Sequence, residues 1–215
     1  MCGRFVLESS AKAIADYLNT EIPEVFASRY NIAPTTPVLA KTAFGLSFFR
    51  WGLVPSWARD VSMGNRMFNA RAETVSEKPS FKNAFKRRRC LIPASGFYEW
   101  HVEDGIKQPY FCHINKNLFS FAGIWELWQD AEGNELQSCS ILTTEAVGVM
   151  SSIHHRMPVV IDENLHADWL DHATESTDQA IDCIAQLNPN FEIYPVSTQV
   201  NSSRNESVDL IKPLL

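Results

Sequence analysis

At 215 residues the chain can bury a sizeable core as one large domain or two small ones, and 45% hydrophobic against 20% charged residues is the balance of a globular protein. No apolar run nears the ~20 residues of a membrane span, and no basic stretch followed by an apolar one opens the chain, so neither a membrane partner nor a secretory signal is expected. A net charge of −6 argues against a generic nucleic-acid coat, although a local basic groove on an acidic body remains compatible with it.

In chain order, 8–20 (ESSAKAIADYLNT) reads as a helix capped by Ser9 or Ser10, with Ala13, Ile14, Tyr17 and Leu18 on one stripe. Residues 29–37, with two prolines and a threonine pair, read as an ordered loop. Val38 to Ala40 and Leu46 to Trp51 read as strands, and 50–57 as a sharp turn. Residues 58–75 show no clean period. The stretch 80–89 (SFKNAFKRRR) looks helical, with Phe81 and Phe85 on one face. Its basic run is either a solvated helix end or a phosphate-facing surface. Strands follow at 90–94, from 97, at 109–114, 119–128 and 138–144, with hairpin tips at 103–105 and 131–134. A short helix is expected at 145–151, a strand at 159–161, helices at 162–170 and 177–187, a last strand at 191–197 and an irregular tail over 198–215. No repeat or linker interrupts this order. It predicts one α+β domain over 1–215, with a largely antiparallel, barrel-like sheet flanked by helices.

The chemistry centres on Met1-Cys2-Gly3-Arg4-Phe5. If Met1 is removed, Cys2 carries an α-amine and a thiol on neighbouring carbons. Such a 1,2-aminothiol condenses with an aldehyde to an imine, and the thiol then closes on the imine carbon to a thiazolidine. The two groups titrate at roughly 8 and about 8.5, so reactive forms are accessible at cellular pH. Arg4, two residues on, is expected to help the thiol ionise, and Gly3 lets a bulky substrate approach the backbone. The bland alternative is an ordinary residue at a frayed end. The five cysteines, at 2, 90, 112, 139 and 183, are scattered and lack C-x-x-C spacing, so no disulfide framework, metal site or cofactor is expected, and the reduced cytoplasm is the expected compartment.

Glu99 sits between Tyr98 and Trp100 after a glycine turn. It is either a desolvated carboxylate suited to acid–base work or an exposed strand glutamate. His154 and His155, if extended, point to opposite faces and cannot chelate one metal together; His154 and Arg156 then share a face, stiffened by Pro158. That pattern fits proton transfer beside a phosphate, or a surface histidine pair. Asn69 and Arg71 share a face if extended, offering an uncharged amide and a phosphate fork. Trp57 and Trp100 are either core residues or platforms for unpaired bases.

Eight stretches in order resemble the SOS-response-associated peptidase (SRAP) family of abasic-site processing proteins: 1–5, 29–34 (RYNIAP), 51–55 (WGLVP), 68–74 (FNARAET), 89–93 (RCLIP), 96–100 (GFYEW), 121–125 (FAGIW) and 154–158 (HHRMP). They span nearly the whole chain. The resemblance implies a single SRAP-type domain in the DNA-damage and SOS response. It implies binding of single-stranded DNA carrying an abasic site, and covalent capture of the ring-opened sugar aldehyde by Cys2, which shields the lesion from strand cleavage. Lyase and autopeptidase activities belong to the same implication. Carried over residue by residue, Cys2 is the nucleophile, Asn69 orients the linkage, and Glu99 and His154 handle protons. Arg4, Arg71 and Arg156 are phosphate contacts, with Trp57, Trp100 and Pro34 as further DNA contacts. The basic residues at 4, 50, 59, 66, 71 and 82–89 are expected to line one face in part. A monomer, nucleoid-associated when acting on DNA, is expected. The rival readings are a cysteine-dependent (auto)peptidase and a non-covalent reader of modified bases.

Overall fold

A computed structural model describes residues 2–22, 26–115, 117–171, 177–185 and 189–214. Strands β1 (Arg4–Leu7) and β2 (Arg29–Ile32) precede a hairpin of β3 (Pro37–Thr42) and β4 (Gly45–Trp51). Between them lies helix α1 (Ala11–Leu18), capped by Ser10, whose side chain accepts from the Ala13 N–H, and ended by Asn19 in the left-handed region at φ 47°. Then come β5 (Asn69–Arg71), α2 (Lys82–Arg87), β6 (Arg89–Ala94), β7 (Gly96–Glu103), β8 (Ile106–His113), β9 (Phe119–Gln129) and β10 (Glu135–Glu145). The chain finishes with β11 (Arg156–Pro158), β12 (Val160–Ile161), α3 (His166–Leu170), α4 (Asp178–Ala185) and β13 (Glu192–Pro195).

Five of these strands close into a barrel. β3 pairs with β4 and β6, β6 with β9, and β9 with β10, all antiparallel. A short parallel contact, Ser138 against Arg50 and Cys139 against Trp51, completes the ring. Its β6, buried along its whole length, reads as a near-continuous apolar run because both faces are covered. Successive residues alternate between two cores: Cys90, Ile92, Phe121 and Ile141 face one, while Leu91, Ala122 and Leu142 meet Phe85, Trp169 and Cys183 of the helices on the other. A second sheet, in the order β13-β8-β7-β1-β2, lays Phe5, Phe97 and Cys112 against the first core. Its other face, with Val6 and Tyr98, is covered by Val196, Val200 and Leu210.

The expected barrel-like α+β architecture is therefore present, with local corrections. Part of the loop expected at 29–37 is a strand, because β1 offers it a partner through Phe5–Ile32 and Leu7–Arg29. The helix expected at 145–151 is a 3-10 turn, Gly148–Ser152. The one expected at 162–170 splits into a turn, Glu163–Leu165, and α3. Helix 177–187 is seen as α4, its last two residues lying outside the described ones. The unperiodic 58–75 holds a 3-10 turn, Val61–Arg66, and β5. Gly52, at φ 138°, lets that turn pack: a Cβ there would meet the Gly64 carbonyl oxygen at 2.5 Å. The tail at 198–215 carries two more 3-10 turns, Thr198–Asn201 and Val208–Ile211.

Candidate active site

Cys2 lies just before β1 and is fully buried in the main core cluster. Asn69, at the start of β5, donates from Nδ2 to the Cys2 backbone carbonyl at 2.7 Å. β5 is held by parallel pairing to β10, Asn69 against Ile141, so the amide is fixed by the barrel. Asn69 Oδ1 is buried and has no hydrogen-bond partner among the described residues. Glu99 comes from β7, the neighbour of β1. The β1–β7 ladder runs to Arg4–Tyr98, one residue short of Glu99, and the Glu99 carboxylate acts electrostatically on the Cys2 thiol. Glu99 is 4% exposed, so its buried reading is the right one.

Burial pushes the Cys2 thiol well up, and the Glu99 carboxylate adds to this. The expected help from Arg4 is absent. The Cys2 Sγ points to the Arg4 backbone carbonyl at 3.9 Å, whereas the guanidinium binds elsewhere. In this state the sulfur is a thiol. Met1, whose removal would expose the Cys2 amine, lies outside the described residues.

His154 stands on the loop before β11. Burial lowers its pKa, while the Glu99 carboxylate opposes the shift, so Cys2, His154 and Glu99 share one electrostatic environment. The Arg156 N–H donates to His154 Nδ1 at 2.9 Å, which puts the proton of the neutral ring on Nε2. The Arg156 carbonyl lies 3.2 Å from the same Nδ1, so a protonated ring also finds an acceptor. The two histidines do not point to opposite faces: their rings stack with centroids 4.2 Å apart. Opposite faces require an extended backbone, and β11 begins only at Arg156.

Other predicted contacts fall into two groups. Arg71 is exposed, on the same pleat as Asn69. Trp57 is 57% exposed and edges an open cleft of about 380 Å³ with Arg59, Asp60, Ser62 and Met63. Pro34 is half-buried in a turn whose next residue, Thr35, is held at φ 73°. By contrast, Arg156 is buried, its fork closed on Glu73 at 2.7 and 2.9 Å and on the Thr143 carbonyl at 2.6 Å. Arg4 donates to Asn31 Oδ1 at 2.7 Å and to the Val200 carbonyl at 2.8 Å, and Trp100 Nε1 donates to Asn201 Oδ1 at 2.8 Å. The expected basic face is thinned in the same way. Arg50 binds Gly52 and Asn65, Arg88 binds Glu126, and Arg89 is buried on the carbonyls of Phe85, Lys86, Trp169 and Asp171. Arg59, Arg66, Arg71, Lys82 and Arg87 are exposed.

Sequence reasoning missed Asn31, Glu73 and Asn201. Asn31 carried a signal: an amide beside Ile32 in a stretch that pairs as a strand must be satisfied if buried. Among the described residues no group of three or more His, Cys, Asp or Glu is arranged to hold a metal ion, and no helix is long and apolar enough to cross a membrane.

A model of the SOS response associated peptidase (SRAP) family matches residues 1–203. The chain belongs to this family. Among SRAP relatives, the abasic site processing protein YoqW of Bacillus subtilis is 40% identical over 99% of both chains. Rat abasic site processing protein HMCES is 33% identical over 89% of this chain and 66% of its own length. A solved protein from Bacteroides thetaiotaomicron superposes with a TM-score of 0.89 over the whole of both chains at 24% identity, which shows the shared fold. A phage-related protein of Bordetella bronchiseptica gives 0.74 at 30% identity, over 91% of this chain and 94% of that one.

Proposed function

We propose that this SRAP protein processes abasic sites in single-stranded DNA by bonding Cys2 to the lesion. The observation that carries the reading is Asn69 bound at 2.7 Å to the Cys2 carbonyl, together with Glu99, whose charge acts on both Cys2 and His154. Relatives named as abasic site processing proteins support the substrate.

The chemistry follows from those groups. Removal of Met1 frees the Cys2 amine. The closed sugar opens when its C1′ hydroxyl loses a proton and its ring oxygen gains one. Glu99 accepts the first, and the Nε2–H of His154 donates toward the second. The amine adds to the aldehyde carbon, and loss of one water gives the imine. The S–H then adds across the C=N bond: sulfur bonds to carbon and the proton passes to nitrogen. The product is a thiazolidine weighing protein plus DNA minus water. Ring closure consumes the imine that would otherwise promote β-elimination of the 3′ phosphate, so the thiol acts as a shield. A thiol kept protonated by burial suits this order, because it leaves the first step to the amine. Arg71 and Trp57, both exposed, are the phosphate and base contacts this reading favours. Arg4, Arg156 and Trp100 hold internal partners first.

The test is intact mass before and after incubation with a single-stranded oligonucleotide containing one abasic site. Loss of the Met1 mass followed by a stable adduct at the stated mass is the expected result. A processed Cys2 terminus with no adduct overturns the proposal. Peptide cleavage without DNA would then mark a peptidase, and binding without an adduct a reader.

A further inference from the structure

The strand ladders of β1 stop at Arg4, short of the reactive end. β1 has four residues, and its β2 neighbour pairs only at Phe5–Ile32 and Leu7–Arg29, with an irregularity between them. Cys2 and Gly3 lie beyond that ladder, where a strand end would fray. From β5, Asn69 restrains the Cys2 carbonyl. The outer face carries a second restraint that the proposed chemistry does not use. Arg4 donates from Nη1 to the Val200 carbonyl at 2.8 Å and from Nη2 to the Asn201 carbonyl at 3.2 Å. Asn31, 1% exposed, accepts from Arg4 at 2.7 Å and donates from Nδ2 to the carbonyls of Val200, Ser202 and Asn205 at 3.3, 2.9 and 2.9 Å. Asn201 also accepts, on Oδ1, the indole N–H of Trp100, the residue after Glu99.

Asn201 thus bridges two adjacent strands. Its carbonyl takes Arg4, two residues from the nucleophile, and its side chain takes Trp100, one residue from the acid–base group. We infer that the segment 198–205 is a positioning strap. Asn31 and Asn201 are its positioning residues, and they fix Cys2 against Glu99 from outside the site. Arg4 and Trp100 are the strap's ligands on the two strands. This rests on the proposed covalent capture. A small displacement of reacting groups lowers the rate steeply without touching the substrate.

The test is single-turnover adduct formation at saturating abasic-site oligonucleotide, with DNA affinity measured separately. Asn201→Ala and Trp100→Phe each slow the saturated rate about ten-fold, and Asn201→Ala leaves the dissociation constant unchanged. Trp100→Phe keeps an aromatic face and loses only the N–H. The double variant is no slower than either single one, because both break one bond. Asn201→Asp, which keeps an acceptor, restores the saturated rate. Asn201 is exposed, so these variants fold even where Asn31→Ala does not. An unchanged saturated rate in Asn201→Ala overturns the strap, as does a weakened affinity for DNA at a normal rate, or multiplicative slowing in the double variant. If the wild-type protein itself forms no adduct, it is the covalent reading that fails.

Discussion

The two faces of the five-stranded sheet do different work with neighbouring residues. Along β1 and β7, Phe5, Phe97 and Glu99 turn inward with Cys2, whereas Arg4, Val6, Tyr98 and Trp100 turn outward under the C-terminal segment. The inner face places a thiol, a carboxylate and an imidazole in one electrostatic environment. On the outer face lie a guanidinium, a phenol and an indole whose polar atoms are spent on backbone and amide oxygens. Residues one apart in sequence therefore belong to separate systems, one suited to reaction and one to support. A run of matching polar residues is not by itself one site.

Breaking the inner face gives the largest effects. Cys2→Ala removes the stable adduct altogether while strand cleavage through a transient imine rises, both visible on a denaturing gel. A stable crosslink in that variant would sink the shielding mechanism. Glu99→Gln or His154→Asn slows adduct formation by about 10²–10⁴-fold with the thermal midpoint nearly unchanged; a similar loss of affinity instead would assign these residues to binding. Trp57→Ala tests whether the exposed tryptophan serves the DNA and not the chemistry. Affinity for single-stranded DNA falls by about 1–3 kcal/mol, measured by fluorescence anisotropy, at an unchanged saturated rate.

Tyr98 on the outer face and His166 on the distant α3 give smaller effects, on stability alone. Tyr98→Phe removes the hydroxyl that donates to the Tyr30 carbonyl at 2.8 Å, costing about 1 kcal/mol in denaturant unfolding. His166, packed against Tyr17, has its pKa lowered to about 4 by burial, with Lys41 adding to it. Its unfolded value lies near 6.5, so between the two the unfolded chain binds more protons. Its contribution is complete above pH 6.5 and is lost as pH falls toward 4. His166→Gln should flatten that part of the stability curve, and an unchanged slope would assign the dependence to other groups.

Much of this was legible beforehand. Strand hydrophobicity, turn signals such as Asp104-Gly105 and the cap at Ser10 are local properties, and they follow from propensity and periodicity alone. Cys2, Asn69, Glu99 and His154 stand out in the sequence by residue type and by family resemblance. What failed was facing. An extended chain would set His154 and His155 on opposite sides, yet their rings stack. Arg4 was expected beside the thiol because it is close in sequence, yet its guanidinium reaches Val200, 196 residues away. The segment 198–205 reads as irregular because it meets Arg4 and Asn31 through its own backbone carbonyls, which leave no pattern in side-chain chemistry.

By itself, then, the sequence determined the α+β class, the chemistry available at Cys2 and the residue types able to serve it. Those depend on covalent structure and on periods of a few residues. Only the tertiary structure decided which of them meet. Pairing of β5 with β10 brings Asn69 to the Cys2 carbonyl, and pairing of β1 with β7 brings the Glu99 charge to bear on the Cys2 thiol. The same packing buries Arg156 on Glu73 and commits Arg4 to the strap. Which hydrogen bond a long polar side chain makes depends on desolvation and on distant acceptors, and these exist only once the chain has folded.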